Sequence, residues 1–141
     1  MSSRDFEVTK HYMGLETAWK AEFTHGKGGR VVGVNSEMDA LPGIGHGCGH
    51  NLIAICGVGI ALAIKAALQA HNISGKVILL GTPGMKPLPS MWNMADLGCS
   101  AEEAGGGKVM LLQRGGYNEM DVCLMYVLPL LFVPLTDRLG D

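Results

Sequence analysis

The stretch "LIAICGVGIALAIKAALQAHNISGKVILLG", residues 52–81, decides the fold. Its first part holds no breaker stronger than glycine, is rich in Ala and Leu, and is far too long for a strand, so it predicts a mostly buried helix over 52–70. Gly75 then opens "KVILLG", a short apolar run of the kind found in a central parallel strand. Upstream, "LETAWKAEF", the turn "THGKGG" and "RVVGVNSE" read as a hairpin-like pair, with a buried strand over 30–36. Downstream, "GGGKVMLLQRG" predicts a second helix with Gly115 at its stop, and "DVCLMYV" a third core strand.

Strand, helix, strand, helix, strand is the order of an α/β fold: a parallel-rich sheet with helices packed on it. The strands at 30–36 and 76–81 should be adjacent and parallel, with the helix crossing between them. Sites in such sheets form outside the carboxyl ends of the strands, and the sequence places its chemistry there. After the strand ending at Ser36 come Glu37, Asp39, His46, Cys48 and His50 in "MDALPGIGHGCGHN". After the strand ending at Gly81 comes, with a delay, the pair Glu102 and Glu103.

Composition limits what this chemistry can serve. The 141 residues, 48% hydrophobic, suit one domain or part of one. A net charge of −2 offers no basic stripe for phosphates, which argues against a nucleic-acid partner. The start "MSSRDFEVTK" has no apolar core of a secretory signal, and "MYVLPLLFVPL" is short and interrupted by Pro129 and Pro134, so no membrane partner is expected. Cys48, Cys56, Cys99 and Cys123 are irregularly spaced, which favours reduced thiols in a cytoplasmic compartment and leaves Cys48 available as a ligand.

Cys48 and His50 are separated by one glycine; in an extended segment residues two apart point the same way, so thiolate and imidazole could grip one ion. Adjacent Glu102 and Glu103 cannot share one face of a strand, which suits a division in which one binds metal and the other takes a proton from water. Neither pair is specific alone, since Glu-Glu is also a common solvated helix start. Nucleotide-binding readings fail on context. "GVGIAL" lies inside the predicted helix rather than at a strand-to-helix turn, and "AGGGKV" lacks the Ser or Thr and the upstream glycine of a phosphate loop.

The blocks "NSEMDALPGIGHGCGHNLIA", "GVGIALAIKAAL", "GKVILLGTP" and "AEEAGGGKVMLLQRGGYNEMDVCLM", in that order, resemble the catalytic domain of the zinc-dependent amidohydrolase and peptidase family M20. They are most similar to its aminoacylase-like and Xaa-Arg dipeptidase-like branch, related to hippurate and auxin-conjugate hydrolases. The resemblance implies a phosphorylase/hydrolase-like fold and hydrolysis of an amide or peptide bond in a small N-acyl amino acid or dipeptide. It further implies Cys48, His50 and Glu103 as metal ligands, Glu102 as general base and Asp39 as the acid that orients a ligand. Glu37 stands where sister branches carry a histidine ligand. The ion would be zinc, or another divalent metal such as manganese or cobalt, in a site for one ion or two.

The chain departs from that pattern in two places. Residues 84–100, "GMKPLPSMWNMADLGCS", separate "GTP" from "AEE", and residues 126–141 form a divergent tail in place of a segment bearing a further histidine ligand. No histidine follows His71, and the lid or dimerisation domain of an often homodimeric family has no counterpart in residues 1–141. An enzyme of the family, a catalytically inactive metal-binding remnant and a gene-model fragment are all compatible with this pattern. Residues 84–100 are expected to be a surface excursion, because Pro87 and Pro89 discourage regular structure. Deleting them, which restores "GTPAEE", should raise the melting temperature; a lower one would mark the segment as an integrated element.

Overall fold

The computed structural model describes residues 1–38, 40, 45–46, 49–83 and 107–126. Its frame is a five-stranded sheet. The strands are β1 (Glu7–Lys10), β2 (Trp19–His25), β3 (Arg30–Glu37), β4 (Gly75–Thr82) and β5 (Val122–Met125), with helices α1 (His50–Ala70) and α2 (Gly107–Gln113). Across the sheet the order is β1-β2-β4-β3-β5. β4 is the centre because its side chains are apolar on both faces: Val77, Ile78, Leu79 and Leu80 are all 0% exposed. Two covering layers follow from that.

Val77 and Leu79 face one layer, where they meet Val34, Ala21, Phe6 and Ala61 of α1. Ile78 and Leu80 face the other, with Tyr12, Ala18 and Leu111 of α2, and with Val31, Tyr117 and Met120 at its margin. The expected unit is present. β3 and β4 run parallel, Arg30 opposite Gly75 through Glu37 opposite Thr82, and α1 connects them and packs on both. β5 is parallel to β3, with Val32 opposite Val122.

Three expectations are corrected. β2 and β3 are not a hairpin: β2 pairs antiparallel with β4, and β4 lies between them. The most apolar strand takes the central slot, and residues 26–29 carry the chain across its lower end. Gly29 makes that crossing possible, at φ +86° and so close to the Ser74 carbonyl that a Cβ would overlap it. The helix is not mostly buried; its buried positions His50, Ile53, Gly57, Ala61 and Lys65 form a single stripe at helical spacing. Leu52 and Ile55 remain 50% and 61% exposed. Finally, the strand expected in "DVCLMYV" is not a core strand where it is described: β5 is an exposed edge, with Val122 and Leu124 about half exposed.

α1 is long and apolar enough to cross a bilayer, but its two ends feed neighbouring strands of one sheet and its buried stripe lies on them. At Gly57 an added Cβ would come within 3.2–3.4 Å of Ser36 and the Asn35 carbonyl, so this glycine sets how closely the helix approaches β3. Lys65 closes the far end of the stripe. Its ammonium lies 4.7 Å from the Phe23 ring centre and 5.6 Å from that of Phe6, and it bonds the Asp5 carboxylate at 2.9 Å.

Both helices end in the same way. The α1 exit has Asn72 in the left-handed region, with the Ile73 N–H donating to Leu68 and the Asn72 N–H to Gln69. The α2 exit repeats this at Gly115, as expected from the sequence, with the Gly116 N–H donating to Leu111 and the Gly115 N–H to Leu112. The paired bonds satisfy carbonyls that the last helical turn leaves without partners.

β1 was not anticipated. "EVTK" is short and polar, with an exposed, intermediate, exposed, exposed pattern, and it caps β2 as an antiparallel edge. Residues 84–100 lie outside the described residues, as do 127–141.

The crossing at Gly29 can be tested by comparison with Gly28, which also has positive φ but open space around it. Gly28→Ala should cost about 1–2 kcal/mol through backbone strain alone. Gly29→Ala should exceed that by about 1–3 kcal/mol in urea denaturation, because the new methyl must displace the Ser74 backbone.

Candidate functional site

Glu37 ends β3 on the face that carries Asn35. Alternation along a strand puts Asn35 and Glu37 on the same side as Leu80 and Thr82 of the partner, while Val34 and Ser36 look toward α1. The strand end is tied to its surroundings by backbone. The Met38 N–H donates to the Thr82 carbonyl at 3.2 Å, and the Ser36 hydroxyl donates to the Ala54 carbonyl of α1 at 3.0 Å.

Three elements converge there. α1 starts at His50, preceded by Gly49 at φ +75°. This brings the imidazole over the strand end, with Nε2 3.6 Å from Glu37 Oε2 and the His50 and Glu37 side chains only 10% and 6% exposed. α2 starts at Gly107, whose N–H donates to the Pro83 carbonyl at 3.0 Å just beyond β4. Lys108, one residue on, places Nζ 2.8 Å from Glu37 Oε1.

A carboxylate this deeply buried needs a compensating charge, and the Lys108 ammonium supplies it through a short charge-assisted bond. The Asn35 amide donates to the same oxygen at a longer 3.4 Å, and the Tyr117 hydroxyl donates to Asn35 Oδ1 at 3.1 Å. Burial pushes the Tyr117 phenol far above its ordinary value, and the neighbouring Cys123 and Glu37 push it the same way. It therefore stays a donor to Asn35 at any physiological pH.

Of the residues singled out from sequence, the structure places His50 at this convergence. Asp39, Cys48, Glu102 and Glu103 lie outside the described residues. His46, from the same loop, is exposed. No group of three or more metal-capable side chains occurs among the described residues. Lys108 and Tyr117 were missed, and Glu37 was noted only by position. One signal was available: Asn35 and Glu37 are polar residues two apart at the end of an apolar strand, which puts both on one buried face.

A nearly buried imidazole and carboxylate thus meet at the carboxyl ends of parallel strands, the place where sites form in sheets of this kind. The chain belongs to the M20 peptidase and amidohydrolase family, as a match over part of a domain. It is 42% identical over 125 residues to the Xaa-Arg dipeptidase of Mus musculus, an alignment covering 84% of this chain and 25% of the relative. The Homo sapiens Xaa-Arg dipeptidase is 38% identical over 129 residues, with 84% and 26% covered. One of the subunits of the Escherichia coli K12 p-aminobenzoyl-glutamate hydrolase is 28% identical over 143 residues, with 89% and 26% covered. The chain thus spans about a quarter of the length of these curated relatives.

Among solved structures, a Bacillus subtilis protein described as a dinuclear metal-binding peptidase from the M20 family superposes with a TM-score of 0.57 at 19% identity, covering 86% of this chain and 32% of that one. No protein-family profile matches the chain.

The Tyr117 bond gives a prediction with a defined sign. An unfolded tyrosine loses its proton near pH 10, whereas folded Tyr117 holds it to higher pH, so the folded state binds more protons and stability falls as pH rises above about 10. Tyr117→Phe should cost about 1 kcal/mol near neutral pH. It should also flatten the decline of melting temperature between about pH 9 and 11; an unchanged slope would show that Tyr117 does not carry it.

Proposed function

We propose that this chain carries part of the active site of a metal-dependent hydrolase that cleaves the amide or peptide bond of N-acyl amino acids or dipeptides. The observation behind this is the convergence of the β3 end and the α1 start on a buried His50, in a chain 42% identical to a dipeptidase. The described ligand suits such an ion: an imidazole nitrogen shielded from solvent is a donor that zinc, manganese and cobalt accept.

In this reading Cys48, His50 and Glu103 hold the metal, Asp39 orients a ligand and Glu102 is the general base. When bound, a divalent ion supplies a Lewis acid that polarises the scissile carbonyl and makes water acidic near neutral pH. Glu102 takes the proton of the attacking water as the C–O bond forms, and returns it to the nitrogen as the C–N bond breaks, leaving a carboxylic acid and an amine. The low exposure around Glu37 and His50 keeps bulk water from competing for these groups.

A binding role without turnover is a second reading of the 141-residue chain by itself. The sequence offers three ligands in the right family positions, and no histidine follows His71. A catalytic zinc normally has about three protein ligands, a substrate clamp and a closed cavity.

Expressed alone, the chain should bind zinc weakly and hydrolyse N-acyl amino acids and dipeptides without appreciable turnover. Zinc titration should show a sharp loss of affinity in Cys48→Ser and in His50→Ala. Unchanged affinity in both would remove the loop as a metal site, and efficient turnover would overturn the binding-only reading. In a variant lacking 84–100 and extended by the C-terminal region of the relatives, activity should appear, and Glu102→Gln should abolish most of it while metal stays bound.

A further inference from the structure

We infer that Glu37 and Lys108 form a positioning pair for the metal ligand His50, Lys108 fixing the Glu37 carboxylate and Glu37 fixing the imidazole. The inference rests on the reading of His50 as a ligand and adds two residues to that site which touch neither substrate nor reacting atoms.

The geometry dictates a direction of action. Lys108 Nζ occupies Oε1 at 2.8 Å, with the Asn35 amide on the same oxygen, so Oε2 is the oxygen presented to the imidazole. At 3.6 Å from Nε2 it lies just beyond hydrogen-bond reach, and a small turn of the ring closes the gap. A histidine that donates one ring N–H to a carboxylate is held in one tautomer, and its other nitrogen becomes a better electron-pair donor. Glu37 is placed to do that for His50.

Lys108 makes Glu37 specific for this task. A buried carboxylate with two free oxygens could swing, or bind the ion itself; one already neutralised by an ammonium is a poor competitor for metal and keeps its rotamer. The three side chains come from the end of β3, the first residue of α1 and the second residue of α2. The pair therefore couples His50 to the sheet end rather than to its loop alone.

The test is zinc affinity of the 141-residue chain, by competition with a chromophoric chelator, together with the visible spectrum of the cobalt(II) form. Glu37→Gln and Lys108→Met should each lower zinc affinity about 10–100-fold and alter the cobalt spectrum. The double variant should lose little more than either single one, because both act through one carboxylate. Lys108→Arg, which retains a cation, should recover most of the loss.

Melting of the zinc-free variants separates folding from binding, and Lys108, with a side chain 28% exposed, is the less disruptive site. If His50→Ala lowers zinc affinity while Glu37→Gln and Lys108→Met keep it within about twofold, the pair positions nothing and the inference falls. A lowered melting temperature with unchanged zinc affinity would equally reduce the pair to a structural contact. If His50→Ala also leaves affinity unchanged, the ligand assignment itself has failed, and this inference with it.

Discussion

The burial of β4 on both faces is the constraint from which the rest of this structure follows. Four consecutive side chains with no solvent exposure cannot be covered from one side, so the chain needs α1 below the sheet and Tyr12, Ala18 and α2 above it. They also need hydrogen-bonded neighbours along both edges, which β2 and β3 provide in antiparallel and parallel sense. Each fully buried aliphatic side chain contributes roughly 1.5–3 kcal/mol relative to an exposed one, so the central strand alone outweighs any single polar contact described for the site.

The site is a by-product of how those layers end. α1 and α2 cover opposite faces of the sheet, yet both begin near its carboxyl edge, one at His50 and the other one residue before Lys108. Glu37, at the last position of β3, is where the two layers can meet, and its two oxygens face one group from each. The chemistry sits where the core stops rather than inside it.

How much of this was legible in the sequence depends on range. The β3–α1–β4 unit was readable because its periodicity and punctuation are local: an apolar strand, a long Ala-rich helix and a glycine before the next strand. Pairing was not. The hairpin expectation for β2 and β3 used the short glycine-rich link and could not register that β4, some forty residues later, would claim the place between them. The one-sided burial of α1 was hidden because its exposed face is also apolar, so composition masked the stripe. β1 escaped because polar edge strands carry little alternation. His50 stood out from its motif, whereas the bond between Glu37 and Lys108 joins residues 71 positions apart, a proximity set by the Gly107 N–H bond to the Pro83 carbonyl at the start of α2.

The strap over the end of β4 also bears on the order of events during synthesis. β2 and β3 leave the ribosome joined by four residues, well before β4 has been made, and both have unsatisfied backbone edges that fit each other as readily as they fit β4. In the finished sheet they stand two strand spacings apart, roughly 9–10 Å, with β4 between. The nascent chain must therefore either hold that slot open or undo a premature hairpin when β4 arrives. Non-local strand insertion of this sort is slow compared with helix formation. A completed α1 speeds it by delivering β4 to the slot on a short tether, so the crossover helix acts as the guide for threading the central strand into place.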